Sequence, residues 1–138
     1  MRVIDRAWTG LRWLFGLFFF ATGVLIAVSL IFRVGHPPTQ SRAAAAALDT
    51  ALHKSGIIDP LLAAGYVAGG TALFLRRTTP LGLVLLAPAV VVITVFDIVL
   101  AAAPIGGLVT GAVWGLLALR HFDGFRGLWT YDAPMRVA

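Results

Sequence analysis

The sequence predicts an all-α membrane protein: a polytopic four-helix bundle with a short amphipathic helix in one long outer loop. Two observations lead to this class. First, 59% of the 138 residues are hydrophobic and 12% are charged, and a soluble chain this small has too much surface for so few charges to cover. Second, four nearly uncharged stretches approach the length that crosses a bilayer. We therefore expect a single transmembrane domain over residues 1–138.

The first predicted span covers residues 11–32. It contains a run from Trp13 to Phe32 without any charged residue, long enough for a hydrocarbon core of roughly 30 Å. The run is longer than the apolar segment of a signal peptide, and no small-residue cleavage site follows it. We therefore expect an uncleaved first span.

An outer-loop helix is predicted over about 42–55, within "SRAAAAALDTALHKSG" (41–56). Ser41 suits the N-cap and Gly56 suits the stop after the last turn. Alanines and leucines share one face of this helix, whereas Asp49 and His53 lie on the other. Two interpretations stay open: an amphipathic helix on the outer surface or over the mouth of the bundle, and an alanine-rich spacer without a role.

The other three spans are predicted over 57–75, 81–103 and 105–122. Asp59 and Pro60 suit the N-cap and first position of the second span. Pro88 should kink the third span, because a proline inside a helix removes a hydrogen bond and clashes with the preceding turn. The short connection between spans three and four makes them antiparallel neighbours.

The loops predict the orientation of the chain. Eight cations fall on one side of the predicted membrane: Arg2, Arg6, Arg12, Arg76, Arg77, Arg120, Arg126 and Arg136. Arg33, Arg42 and Lys54 fall on the other. The positive-inside rule then predicts a multi-pass membrane protein with both termini in the cytoplasm. Because the charges follow membrane sides, the expected partner is the lipid bilayer and not nucleic acid.

Asp97 is the one charge within "VVVITVFDIVL" (90–100). An ionisable residue at membrane depth is by default a hypothesis for a functional site. With about 1.5 Å of rise per residue, Asp97 is expected roughly 9 Å inside the outer boundary. The other spans place polar groups in the same outer half, which defines a candidate pocket of Ser29, Arg33, Tyr66, Thr94, Asp97 and Thr110.

Three interpretations of Asp97 stay open. It can pair with Arg33 as a structural clamp, or it can face Tyr66 and Thr94 in a pocket, where Asp97 and Tyr66 are the candidate catalytic residues. It can also sit higher and face outer water. In the pocket interpretation, desolvation would make the carboxyl a proton donor or acceptor near neutrality.

Metal and cofactor expectations are few. The chain has no cysteine, which excludes disulfides, thiolate metal sites and iron–sulfur ligation. Asp49 and His53 have the i,i+4 spacing of half a metal site, but a helix pair explains them more simply, so no metal is expected. No covalently bound cofactor is expected, and the apolar setting is compatible with a lipophilic ligand.

The order of these features resembles the DoxX-like family of small four-span bacterial membrane proteins. The resemblance is carried by "LRWLFGLFFFATGV" (11–24) and "GYVAGGTALFLRRTTPLGLVLLAPAVVVITVFD" (65–97), which include the double glycine at 69–70 and the proline at 88. Many relatives have Glu near Tyr66 and His near Asp97. Only these two positions keep polarity here where the family has its polar set.

The resemblance implies a redox-linked accessory role, because the family is associated with quinol oxidase and thiosulfate:quinone oxidoreductase subunits. We therefore expect an accessory or quinone-associated subunit of a membrane redox system, with membrane or redox proteins, or further copies of the chain, as partners. The alternatives are a stand-alone membrane enzyme that acts on a lipophilic substrate and a structural or small transport module.

Overall fold

The computed structural model describes residues 2–35, 42–101 and 104–125, and every regular element within them is helical. The helices are α1 (Arg2–Phe32), α2 (Ala43–Lys54), α3 (Ile58–Phe74), α4 (Thr79–Val99) and α5 (Pro104–Arg120), followed by a 3-10 turn over Phe122–Phe125. This confirms the all-α class. The predicted N-cap Ser41 and the cations Arg126 and Arg136 lie outside the described residues.

Two helices are long and apolar enough to cross a membrane, namely α1 over Val3–Phe32 and α4. The helices α2 and α3, bent by 88° at their junction, become a third candidate if they are counted as one broken span. The shorter α5, with 17 residues, is apolar as well. Two to three membrane-spanning helices are therefore supported, and the bundle of four spans stays a prediction.

The helices pack in chain order. α1 lies along α3, α3 against α4, and α4 against α5, whereas α1 and α5 touch only sparsely. An apolar groove of about 270 Å³ separates these last two, lined by residues such as Leu14, Phe18 and Val109. The groove leaves the row of helices incompletely closed on one side.

Close approach of α1 and α3 depends on residues without side chains. A Cβ on Gly70 would lie 2.7 Å from the backbone nitrogen of Phe20 and 2.8 Å from the carbonyl oxygen of Gly16. A Cβ on Gly23 would lie 2.8 Å from that of Tyr66. Lipid provides no hydrophobic drive for helix association, so such close packing is what holds membrane helices together.

The core lies between these contacts. Phe19 is fully buried, and its ring meets those of Phe15 and Tyr66 at centroid distances of 4.9 and 5.1 Å. Leu83 and Leu86 of α4 belong to the same buried cluster. Apolar side chains on the other faces are exposed, for example Leu14, Leu25, Val92, Leu108 and Leu119. So much contiguous apolar surface suits contact with lipid.

Helix α4 starts two residues before the predicted span and ends at Val99, four residues before its predicted end. Pro88 lies inside it, and the helix continues through the proline. In the turn before Pro88, the carbonyl oxygen of Leu83 accepts a hydrogen bond of 3.0 Å from the indole of Trp114 on α5. Pro88 removes the helical donor to the carbonyl of Val84, the next residue, so the bond from Trp114 joins α5 to α4 near the proline without replacing that donor.

Helix α2 matches the predicted outer-loop helix within one residue at each end. Gly56 follows it with a φ of +70°, the left-handed conformation that a glycine stop supplies. The stripe of Ala45, Asp49 and His53 is turned toward the protein, whereas Leu48 and Leu52 are exposed. An exposed apolar stripe of this kind suits a helix in the plane of the membrane interface.

Candidate functional site

Asp97 lies in the last turn of α4, two residues from its end. It is half-buried, and its Oδ2 lies 3.3 Å from the point that a Cβ on Gly106 would occupy. Among residues 2–35, 42–101 and 104–125, no ion pair joins Asp97 to Arg33. Because α4 ends at Val99, the carboxylate is roughly 3 Å along the axis from the end of its helix. Asp97 therefore lies at the end of α4, and its depth in a membrane stays a prediction.

The neighbourhood of Asp97 gives it a structural role. The first turn of α5 lies beside it, and the N-terminus of a helix carries a partial positive charge that stabilises a nearby carboxylate. Thr94, one turn earlier on α4, donates a hydrogen bond of 3.2 Å to the carbonyl of Gly107. A Cβ on Gly107 would lie 2.9 Å from that of Asp97. Asp97 and Thr94 therefore belong to the α4–α5 interface.

Tyr66 belongs to a different interface. It is buried, at 6% exposure, between α1 and α3, where its ring packs edge-on against Phe19. No hydrogen bond or ring contact links it to Asp97 within the described ranges. The candidate catalytic pair is thus not assembled by this fold.

The remaining predicted site residues are divided as well. Thr110 lines the apolar α1–α5 groove and donates a hydrogen bond to the carbonyl of Gly106. Ser29 and Arg33, at the end of α1, line a cavity of about 400 Å³. Of the six predicted residues, only Ser29 with Arg33 and Thr94 with Asp97 are brought together.

The cavity of about 400 Å³ at the end of α1 is a polar site, and we name it the outer pocket. It lies where α1, α2 and α3 meet, and its polar lining consists of Ser29, Arg33, Asp49, Thr50, His53, Lys54 and Asp59. Leu30 and Val34 add an apolar edge. Its size falls in the ordinary range of small-molecule sites.

His53 joins α2 to α3 inside the outer pocket. Its Nδ1 lies 2.6 Å from Oδ1 of Asp59, and its Nε2 lies 3.3 Å from Oδ1 of Asp49. The hydrogen bond to Asp59 raises the pKa of His53, partial burial opposes that shift, and the charges of Asp59 and Asp49 add to it. The predicted helix pair Asp49–His53 is therefore present, with a second carboxylate added.

Asp59 does not have its predicted role. The N-cap of α3 is Ile57, so Asp59 falls within the first turn, where its carboxylate accepts from His53. Because the two carboxylates approach opposite nitrogens of the ring, they do not share a metal position with it. No group of three metal-ligating side chains is found in the part of the chain that the structure describes.

The charged form of His53 should make the docking of α2 dependent on pH. A raised folded pKa contributes stability that is complete below the unfolded value of about 6.5 and is lost as pH rises through the folded value. Because all three side chains are partly exposed, we expect at most about 1 kcal/mol. Hydrogen exchange over 43–54, corrected for intrinsic rates, should show stronger protection at pH 6 than at pH 9.

The matched control is His53→Asn, in which this dependence should disappear. An unchanged pH dependence in the variant would assign the effect to another group.

Arg33 has a backbone conformation that is uncommon for its type. Its φ is +51°, and the amide of Val34 donates to the carbonyl of Ser29 at 3.0 Å, the six-residue bond of a Schellman cap. Glycine usually takes this position, and an L-residue there costs about 1–2 kcal/mol. Strain at a pocket residue is a reason to ask what its side chain does.

The sequence did not identify the outer pocket as a site. Asp49 and His53 were recognised only as neighbours on one helix, and Asp59 only as a capping residue. The Asp49–His53 spacing, together with an acid at the start of the next helix, was the available signal. Pairing them required the 88° bend between α2 and α3.

Comparison of the chain with known protein families, with curated proteins and with solved structures finds no match. What the helices and their exposed apolar surface define is a class: a helical membrane protein. The DoxX-like resemblance stays a prediction.

Proposed function

We propose that the chain is an accessory subunit of a membrane redox system and that its outer pocket binds the head group of a quinone. In this proposal it is a DoxX-like protein of the bacterial cytoplasmic membrane, with both termini in the cytoplasm. The observation that carries the proposal is the outer pocket, in which His53 is held between Asp49 and Asp59.

The chemistry of the pocket suits a quinone. The carbonyl oxygens of a quinone accept hydrogen bonds. The pocket offers donors for them in Arg33, Lys54 and His53. Reduction to a quinol adds two protons and oxidation releases them. The imidazole of His53, whose pKa is raised by the hydrogen bond to Asp59, can donate or accept one of these protons. Whether the quinone is reduced or the quinol is oxidised, the two electrons are exchanged with the partner protein.

The surroundings of the pocket suit an amphiphile. Its apolar edge, Leu30 and Val34, adjoins the exposed face of α1, where Ile31 and Phe32 are open to lipid. A ligand with a polar head and an isoprenoid tail can therefore place each part in a matching environment. The enzyme alternative lacks comparable support, because Asp97 and Tyr66 lie at separate helix interfaces.

Binding of decylubiquinone to the purified full chain in detergent tests the proposal. We expect His53→Ala and Arg33→Gly to weaken binding about tenfold, the effect of one charge-assisted hydrogen bond. Glycine takes a positive φ without strain, so Arg33→Gly should leave the unfolding midpoint unchanged or raise it. Weaker binding of decylubiquinone by Arg33→Gly with an unchanged unfolding midpoint would show that Arg33 has a binding role and not a structural one.

Arg42→Gln is the matched control, since Arg42 is an exposed cation at the start of α2 that does not line the pocket. Equal binding by the wild type and both pocket variants would refute the site. Extraction from native membranes in mild detergent tests the accessory role: a partner should be retained whose visible absorbance changes on addition of quinol. A chain recovered without such a partner would contradict that role.

A further inference from the structure

A second polar cavity lies at the opposite end of α1 and is not used by the proposed function. Its volume is about 360 Å³, and its lining includes Asp5, Trp8, Arg12, Arg76, Arg120 and His121. We name it the arginine pocket. Arg12 and Arg33 are about 30 Å apart along α1, so this site is independent of the outer pocket.

Arg12 is the unusual member of the arginine pocket. Its exposure is 7%, although arginine is rarely buried without a partner. One guanidinium nitrogen donates a hydrogen bond of 3.0 Å to the hydroxyl of Thr79 at the start of α4. Its Nε is buried and has no hydrogen-bond partner. The side chain is therefore held in place by a neutral group that leaves its charge uncompensated.

The charges around Arg12 increase this imbalance. Arg76 is close enough to repel the guanidinium of Arg12. The carboxylate of Asp5 is engaged by Arg120 at 3.3 Å, and both of those side chains are more than half exposed. In the described ranges, no carboxylate pairs with Arg12 or Arg76. Three guanidiniums thus surround one cavity with a single acid between them.

The remaining lining groups fit an oxyanion. The imidazole of His121 is held at the edge of the cavity by a hydrogen bond of 2.9 Å from its Nδ1 to the carbonyl oxygen of Leu117. Guanidinium groups match phosphate oxygens with two parallel donors. Trp8 lines the same cavity as the arginines, and tryptophan is enriched where head groups meet the hydrocarbon region.

We propose that the arginine pocket binds a phosphate-class anion, held by Arg12, Arg76 and Arg120. Two sources share this chemistry: the head group of an anionic phospholipid and a free phosphate. An anion in the pocket would compensate the charge on Arg12 that Thr79 leaves unopposed. It would also relieve the repulsion between Arg12 and Arg76.

The test uses the purified full chain in neutral detergent and measures the shift in unfolding midpoint. One arm adds phosphatidylglycerol against phosphatidylcholine, and the other adds inorganic phosphate against chloride at equal ionic strength. We expect an upward shift in at least one arm. A shift with phosphatidylglycerol alone assigns a lipid head group, and a shift with inorganic phosphate assigns a free phosphate.

Arg76→Gln should weaken the apparent affinity in the responding arm about tenfold, the loss of one guanidinium contact. Arg77→Gln is the control, because Arg77 is the adjacent exposed cation and does not line the pocket. Arg120→Gln, at the end of α5, should weaken binding as well, because it removes a guanidinium and releases the carboxylate of Asp5. These exposed positions avoid the folding risk of replacing Arg12.

No shift in either arm would overturn the proposal. Equal weakening by Arg76→Gln and Arg77→Gln would also overturn it, because general attraction of anions to a basic surface would then explain the effect. Neither result would bear on quinone binding at the other end of α1.

Discussion

Replacing Gly70 by alanine should separate α1 from α3 and destabilise the fold by about 1–3 kcal/mol, the usual effect of overpacking a tight contact. The new Cβ would meet the backbone of Phe20 and Gly16 at 2.7–3.0 Å. Backbone atoms cannot rotate away as side chains do, so the two helices have to move apart. The measurement is the unfolding midpoint in detergent, followed by helical circular dichroism and tryptophan fluorescence.

Gly65→Ala is the matched control for Gly70→Ala. It lies on the same helix, and a Cβ there meets nothing within 4 Å. Alanine is favoured over glycine in a helix by about 1 kcal/mol, so this variant should be neutral or stabilising. Equal stability of the two variants would mean that α1 and α3 are not in this close contact.

The Gly70 contact also has a functional consequence. The α1–α3 pair brings Ser29 and Arg33 to one side of the outer pocket and Asp59 to the other. Gly70→Ala should therefore weaken decylubiquinone binding although the substitution lies far from the ligand. Gly65→Ala should leave that binding unchanged.

Replacing Phe19 by alanine should have the largest effect of any single side-chain truncation. Its ring is fully buried and meets Phe15, Phe18 and Tyr66 at centroid distances of 4.9–5.3 Å. Phe→Ala costs about 3–5 kcal/mol in soluble cores. The transfer part is smaller in lipid and the cavity part remains, so we expect about 2–3 kcal/mol here. The midpoint of unfolding in SDS is a suitable measurement.

Phe32→Ala provides the comparison for Phe19→Ala. Phe32 lies on the same helix and is 72% exposed, so its loss removes contacts with lipid and leaves no cavity. We expect a change within about 0.5 kcal/mol. A similar loss of stability in both variants would indicate that Phe19 is not at the centre of the core.

Local patterns predicted the elements, and contacts between helices decided the site. The polar and apolar faces of α2 follow from helical periodicity alone. A glycine after the last turn predicted the end of this helix, and Gly56 has the left-handed backbone conformation expected of such a stop. The end of α4 was predicted at residue 103 and lies at Val99, because the boundary of a helix depends on the turn that follows as much as on hydropathy. Whether Tyr66 met Asp97 depended on which helices became neighbours, and periodicity within one helix carries no such information.

Arg12 shows the same division. The sequence identifies it as a cation just before an apolar span, a place where arginines set topology. In the structure it is buried, and its hydrogen-bond partner Thr79 lies 67 residues later along the chain. A pattern within one segment cannot reveal a partner at that separation.

By itself, the sequence determined that this protein is helical and that it lies in a membrane, because composition and uninterrupted apolar length are properties of each segment. It also determined the position of the outer helix and the grouping of the cations. Only the tertiary structure decided that His53 joins Asp49 to Asp59 and that Arg12 is buried among other arginines. The first grouping depends on the bend between two successive helices. The second depends on packing between helices that are distant in the chain, where glycines such as Gly70 allow the backbones to approach.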